Sequence, residues 1–205
     1  MNLHERRTFA LSELRADAPE GENRPRITGH AAVFNSLSAP LWGFRETIAP
    51  GAFKDAIEKS DVRALLNHDS NFILGRKKSG TLKLWEDERG LAVDIDPPGT
   101  HWANDLLVSI GRGDIDQMSF GFTVGEDRWE TIDGESRRTI LRVDELFDVS
   151  PVTFPAYPET DMALRARFAE QIDKLRVQSE TISRPAQERG LDTVKRRLRL
   201  IELAR

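Results

Sequence analysis

The chain has 205 residues, 39% of them apolar and 31% charged, which is enough apolar material for one buried core and too much for a wholly disordered chain. The absence of cysteine excludes disulfides, thiolate zinc sites and a cysteine nucleophile. The formal charge of −4 argues against a generally basic nucleic-acid binder, and the opening Met1-Asn2-Leu3-His4-Glu5-Arg6-Arg7 has no apolar signal region, so we expect a soluble, unexported protein without nucleic-acid or membrane partners.

Residues 1–25 read as a polar N-terminal segment: an edge strand, then a loop punctuated by Ala18-Pro19-Glu20-Gly21 and Pro25, where little chemistry is expected. Short extended segments follow at 27–34, 62–69, 81–85, 91–96, 116–124 and 139–149. Asp133-Gly134, between the last two, is a hairpin turn signal. Pro50 suits the first turn of a helix carrying Phe53, Ala56 and Ile57. Thr100 suits the cap of a second helix, running through Trp102, Leu106, Leu107 and Ile110 to Gly111-Arg112-Gly113.

Many short strands with few helices between them predict an α+β fold, a curled, barrel-like sheet with helices packed outside, over residues 26–164. From Arg165 onward the chain carries 11 basic and 6 acidic residues and reads as a charged helical tail, 165–205. A helix from Thr160 to about Gln178 is broken at Ser183-Arg184-Pro185, after which Leu191, Val194, Leu198 and Ile201 fall on one face. That tail is expected to pack as a terminal helix, to engage a partner, or to be removed. Gly111-Arg112-Gly113 and Gly121 fit no phosphate loop, and no helical histidine pair has metal spacing, so neither a cofactor nor a metal is assigned.

Without cysteine, a hydrolase would draw its base from His4, His30, His68 and His101. His68 ends an apolar strand on the face of Val62, Ala64 and Leu66; a core histidine with one hydrogen bond is the simpler account unless partners meet it. Ser119 is one candidate partner. Met118, Phe120 and Phe122 alternate with it, so Ser119 and Gly121 share a small-residue face that leaves room for another chain to approach the backbone. Glu145 is the second. In a regular strand it shares the face of Leu141, Val143, Phe147 and Val149, and a lone buried carboxylate needs a cationic or hydrogen-donating mate. That mate is either His68 or one of Arg63, Arg76 and Arg142, unless a bulge turns the side chain outward.

Five blocks then appear in order: Ile27-Thr28-Gly29-His30-Ala31-Ala32-Val33-Phe34; Ile48-Ala49-Pro50-Gly51-Ala52-Phe53; Leu66-Asn67-His68-Asp69; Met118-Ser119-Phe120-Gly121-Phe122; and Asp148-Val149-Ser150-Pro151-Val152-Thr153-Phe154-Pro155-Ala156-Tyr157. Together they resemble the HK97-type phage prohead protease family. The resemblance implies a β-barrel surrounded by helices, like that of herpesvirus assemblins. It also implies a serine endopeptidase that cleaves the major capsid protein and scaffold, and itself, inside the procapsid in the host cytoplasm, with a homodimer by analogy. Matched by position, Ser119 becomes the nucleophile and His68 the base. Assemblins use a second histidine as third member, about one strand after the serine; here Glu145 is expected in that place, with Asp148 as its rival. Backbone N–H groups of Thr153 and Phe154 are the expected oxyanion donors, from sequence proximity alone. Two other readings stay open: a non-enzymatic capsid assembly or scaffold protein that retains the fold, and a small-molecule esterase, the latter disfavoured because no Gly-x-Ser-x-Gly elbow is present.

Overall fold

Residues 4–9, 14–18, 25–154, 168–175 and 177 are described in the structure, a computed structural model. In chain order the elements are β1 (Glu5–Phe9), β2 (Arg15–Asp17), β3 (Arg26–Val33), β4 (Phe44–Ile48), α1 (Lys54–Lys59), β5 (Arg63–Leu66), β6 (Asp69–Arg76), β7 (Leu82–Glu86), β8 (Gly90–Ile95), α2 (His101–Gly111), β9 (Gln117–Ile132) and β10 (Glu135–Val152). A further helix, α3, spans 168–175.

The hairpin β9–β10 is the frame. Its strands are 16 and 18 residues long and turn at Asp133-Gly134, with φ of 53° and 79°. Two successive positive φ values match the right-handed twist of the flanking strands, which is why an Asp-Gly pair stands there. Strand β10 is long enough to receive two parallel partners on one edge, β4 along 136–140 and β5 along 148–149. The first sheet has the order β1-β9-β10-β5-β6, with β4 joined to β10; the second has the order β2-β3-β8-β7.

One core lies between these layers. Met118, Phe120, Phe122, Val143, Leu146 and Val149 come from the first sheet, and Ile27, Leu91, Val93 and Ile95 from the second. Phe53 packs edge-on against Phe120 at 5.4 Å between ring centroids, and Ala103, Leu106, Leu107 and Ile110 bury one face of α2. Each large side chain removed from water in this way contributes roughly 1.5–3 kcal/mol.

The α+β class holds, but the expected barrel does not close. Strands β1 and β6 end the first sheet, and β2 and β7 the second, so the described residues form two open sheets with three α-helices. The extended segment expected at 62–69 is also divided: β5 stops at Leu66, and Asn67 and His68 form a two-residue turn into β6.

A second cluster fixes α3 to the hairpin arm. Phe168 and Ile172 pack with Phe44, flanked by Leu41, Trp42 and Trp129. The amphipathic segment with Leu191, Val194, Leu198 and Ile201 lies outside the described residues.

Candidate active site

Strand β9 settles which way Ser119 points. Met118, Phe120 and Phe122 are wholly buried in the core, so Ser119 and Gly121 project from the opposite face. In the β10 register Ser119 pairs with Ser150, and Gly121 with Asp148. The serine and the aspartate therefore come from adjacent strands on one face, a residue pair apart.

His68 reaches that face from the β5–β6 turn. Asn67 and His68 have φ of 52° and 59°, and Leu66 pairs with Asp69 across them. A turn with two positive φ values ordinarily favours glycine, so a histidine in the second place is held at a cost of order 1 kcal/mol by what surrounds it. The surroundings are specific. The Asn67 N–H donates to the Pro151 carbonyl at 3.0 Å, the Asn67 side-chain amide donates to Thr153 Oγ1 at 3.2 Å, and the Thr153 N–H donates to Asn67 Oδ1 at 2.9 Å. The turn is thus tied to the end of β10.

The result is a continuous hydrogen-bonded series. His68 Nε2 lies 2.7 Å from Ser119 Oγ, and His68 Nδ1 lies 2.6 Å from Asp148 Oδ2. Ser150 Oγ donates to the same Oδ2 at 2.6 Å. With Nδ1–H given to Asp148, Nε2 is left to accept the Ser119 proton, the tautomer a general base needs. Ser119 Oγ is also 2.9 Å from the Arg7 carbonyl, an alternative acceptor for its one hydrogen, and the serine is wholly buried.

Burial acts to raise the Asp148 carboxyl, but the hydrogen bond from His68, the His68 charge and the bond from Ser150 outweigh it and hold the group below the ordinary aspartate range. Asp148 is therefore the ionised partner.

Glu145 does not occupy that place. Shifts of register fall between Val143 and Glu145 and between Leu146 and Asp148, so the strand does not alternate regularly through this stretch. Leu146 turns into the core at 1% exposure, Glu145 is exposed, and Asp148 replaces it against His68. The expected oxyanion pair is corrected in part, because the Thr153 N–H is already given to Asn67 Oδ1; Phe154 remains of the two, 72% exposed. The room expected over Gly121 is also filled. A Cβ there would meet Asp148 Oδ1 at 2.6 Å and His4 Nε2 at 2.7 Å.

Three further groups stand at the site: Ser150 and the Arg7 carbonyl, neither of them expected from the sequence, and His4, expected only as one of four candidate bases. Ser150 was detectable, since it stands two residues after Asp148. The placement of the Arg7 carbonyl and His4 was not, because only the pairing of β1 with β9, Thr8 opposite Ser119, brings the N-terminal segment here. On the far face of β1, Glu5, Arg7, Glu46 and Arg138 form a buried ion cluster, joined by Asp127. Arg138 Nη1 lies 2.8 Å from Glu5 and 2.9 Å from Glu46, and Arg7 Nε 2.7 Å from Glu46. Burial of Glu5 is offset by the Arg7 charge and by the hydrogen bond from Arg138, which together hold its carboxyl below the ordinary range. His30 and His101 lie apart from this series: His30 Nε2 meets Asp87 Oδ2 at 2.9 Å, and His101 opens α2.

Residues 12–175 match the family described as caudovirus prohead serine protease. The chain is 32% identical over 139 residues to the prohead protease of Enterobacteria phage HK97, an alignment covering 66% of this chain and 57% of that relative. It thus spans little more than half of the relative's length. No solved structure matches it.

Proposed function

We propose that this chain, which belongs to the caudovirus prohead serine protease family, is a serine endopeptidase of capsid maturation in which Ser119 is the nucleophile, His68 the proton carrier and Asp148 the orienting acid. The observation that carries this reading is the unbroken series from Asp148 Oδ2 through both ring nitrogens of His68 to Ser119 Oγ.

In the first half-reaction Oγ attacks a peptide carbonyl carbon while its proton passes to His68 Nε2. The imidazolium gains the Asp148 charge at 2.6 Å. The C–N bond then breaks as Nε2–H is given to the leaving amine, leaving an acyl-serine, and water activated by the same nitrogen hydrolyses it. The Phe154 N–H is the remaining expected oxyanion donor. Because Ser119 is enclosed in this arrangement, substrate entry requires a local opening above Oγ.

The substrates of this reading are the major capsid protein, the scaffold and the chain itself, met inside the procapsid in the host cytoplasm, with a homodimer as the assembly state. One observation favours the alternative, an assembly protein that keeps the fold without cleaving: the full burial of Ser119. Co-expression with the capsid protein separates the two. Shortened capsid protein with the wild type and full-length capsid protein with Ser119→Ala and Asp148→Asn supports the protease; identical capsid products in all three would reject it.

A further inference from the structure

We propose that His4, on the N-terminal strand, is a positioning residue for the Ser119 site, acting on the outer oxygen of the Asp148 carboxylate; the inference rests on the Ser119–His68–Asp148 reading above. Asp148 uses Oδ2 for both of its described hydrogen bonds, from His68 Nδ1 and from Ser150 Oγ. Its other oxygen, Oδ1, points over Gly121. His4 Nε2 occupies the same small volume: each atom lies within 2.7 Å of the point where a Cβ on Gly121 would sit. Two polar atoms that close to one point are within reach of each other, directly or through one bridging water.

Two independent features hold His4 there. Its ring stands edge-on to Phe147, the residue before Asp148, at 4.5 Å between centroids. The next residue of the strand, Glu5, is 1% exposed and pinned by Arg138 and Arg7, and β1 stays in register with β9 from Glu5 opposite Phe122 to Phe9 opposite Met118. The ion cluster thus fixes the backbone that carries His4, although it lies on the other face of the sheet. Gly121 fits the same account, since any side chain there would displace either the carboxylate or the ring.

The physical role follows from the carboxylate's task. Asp148 must present Oδ2 squarely to His68 Nδ1, and a donor on Oδ1 restricts rotation of the carboxyl group. Neutral His4 supplies that donor. Protonated His4 instead brings a cation that competes with the His68 imidazolium for the same negative charge. The charged groups that bear on it are Arg6 on its own strand, Asp148 and Glu145 on β10, and His68 on the turn. Partial burial, with Arg6 and His68, outweighs the two carboxylates and lowers His4 from the ordinary histidine range, so it is neutral at neutral pH and becomes charged only in acid.

The test uses the full chain and a fluorophosphonate probe. Oγ forms the O–P bond, fluoride leaves and the hydroxyl proton passes to His68, so the labelling rate reads the state of the series without a protein substrate. We expect His4→Ala to lower the rate about 10-fold at neutral pH and His4→Gln, which keeps a donor near the Nε2 position, to restore most of it. His4→Gln should also lose less activity than the wild type on acidification, because it cannot become a cation. A purely structural role would move the melting temperature and leave the pH profile alone. Wild-type rates and profiles in both variants would overturn the role of His4 while leaving the series intact; failure of the wild type itself to label at Ser119 would overturn the parent reading instead. Should His4→Ala fail to fold, the His4→Gln pH profile decides alone.

Discussion

His68 Nδ1 and Asp148 Oδ2 stand 2.6 Å apart, although 80 residues separate them in the chain. The contact depends on a hairpin turn with two positive φ values and on a strand whose register shifts four times before it reaches Asp148. It puts Asp148 against His68 and leaves Glu145 exposed, which supports the orienting role proposed for Asp148. Asp148→Asn should lower turnover about 10⁴-fold, because the amide favours the wrong imidazole tautomer, whereas Glu145→Gln should stay within about threefold of the wild type. Parallel rate measurements on capsid cleavage check the pair, and the reverse ranking would return the role to Glu145.

Gly121→Ala should damage activity more than stability. The added Cβ meets Asp148 Oδ1 and His4 Nε2, so the carboxylate must rotate or the ring must leave. Displacement of a positioned group by about 1 Å can cost on the order of 100-fold in rate, and we expect a loss of that size. Thermal denaturation should show a change of no more than about 2 kcal/mol, within the range for added bulk in a packed site.

Two substitutions at Asn67 separate the backbone of the turn from its side chain. Asn67→Gly keeps the left-handed conformation but loses both bonds to Thr153, so the turn loosens from β10 and activity falls with little change in stability. Asn67→Ala loses the same bonds and adds left-handed strain, which should lower stability by about 1 kcal/mol more than the glycine variant. Chemical denaturation of the two proteins gives that difference.

The ion cluster under β1 should make the fold acid-sensitive. The Glu5 carboxyl is held below its ordinary value, so its contribution is complete above the unfolded range near pH 4 and is lost as the pH falls through the depressed folded value. Melting temperatures measured downward from pH 6 should therefore fall, and Glu5→Gln should flatten the curve. Arg138→Met is a harsher change. It leaves Glu5 and Glu46 buried together without their shared cation, at a cost of about 3–5 kcal/mol.

What the sequence made legible was local. Alternation around Ser119 placed the hydroxyl on the small face, because the aromatic residues on either side belong in the core. The hairpin at Asp133-Gly134 followed from turn chemistry. His68 stands out through its block, but its place in a turn is hidden by a run that alternates as a strand should. A regular two-residue period favours Glu145 over Asp148, but the strand slips register in that stretch, and register is a property of pairing with β9 rather than of β10 alone. The N-terminal segment shows little chemistry in its sequence for the same reason: nothing near residues 4–9 announces that they pair beside Ser119. Many short strands suggest a barrel-like sheet, and the resemblance implies the same, but closure depends on which edges pair, and among the described residues β1, β2, β6 and β7 end two open sheets.

The most direct test of the whole account is to treat the wild type, Ser119→Ala and His68→Ala with a fluorophosphonate and map the adduct by peptide mass spectrometry. A single adduct on Ser119 in the wild type, absent from Ser119→Ala and severely slowed in His68→Ala, is the predicted result. An adduct on another residue, or equal labelling of Ser119 with and without His68, would contradict it.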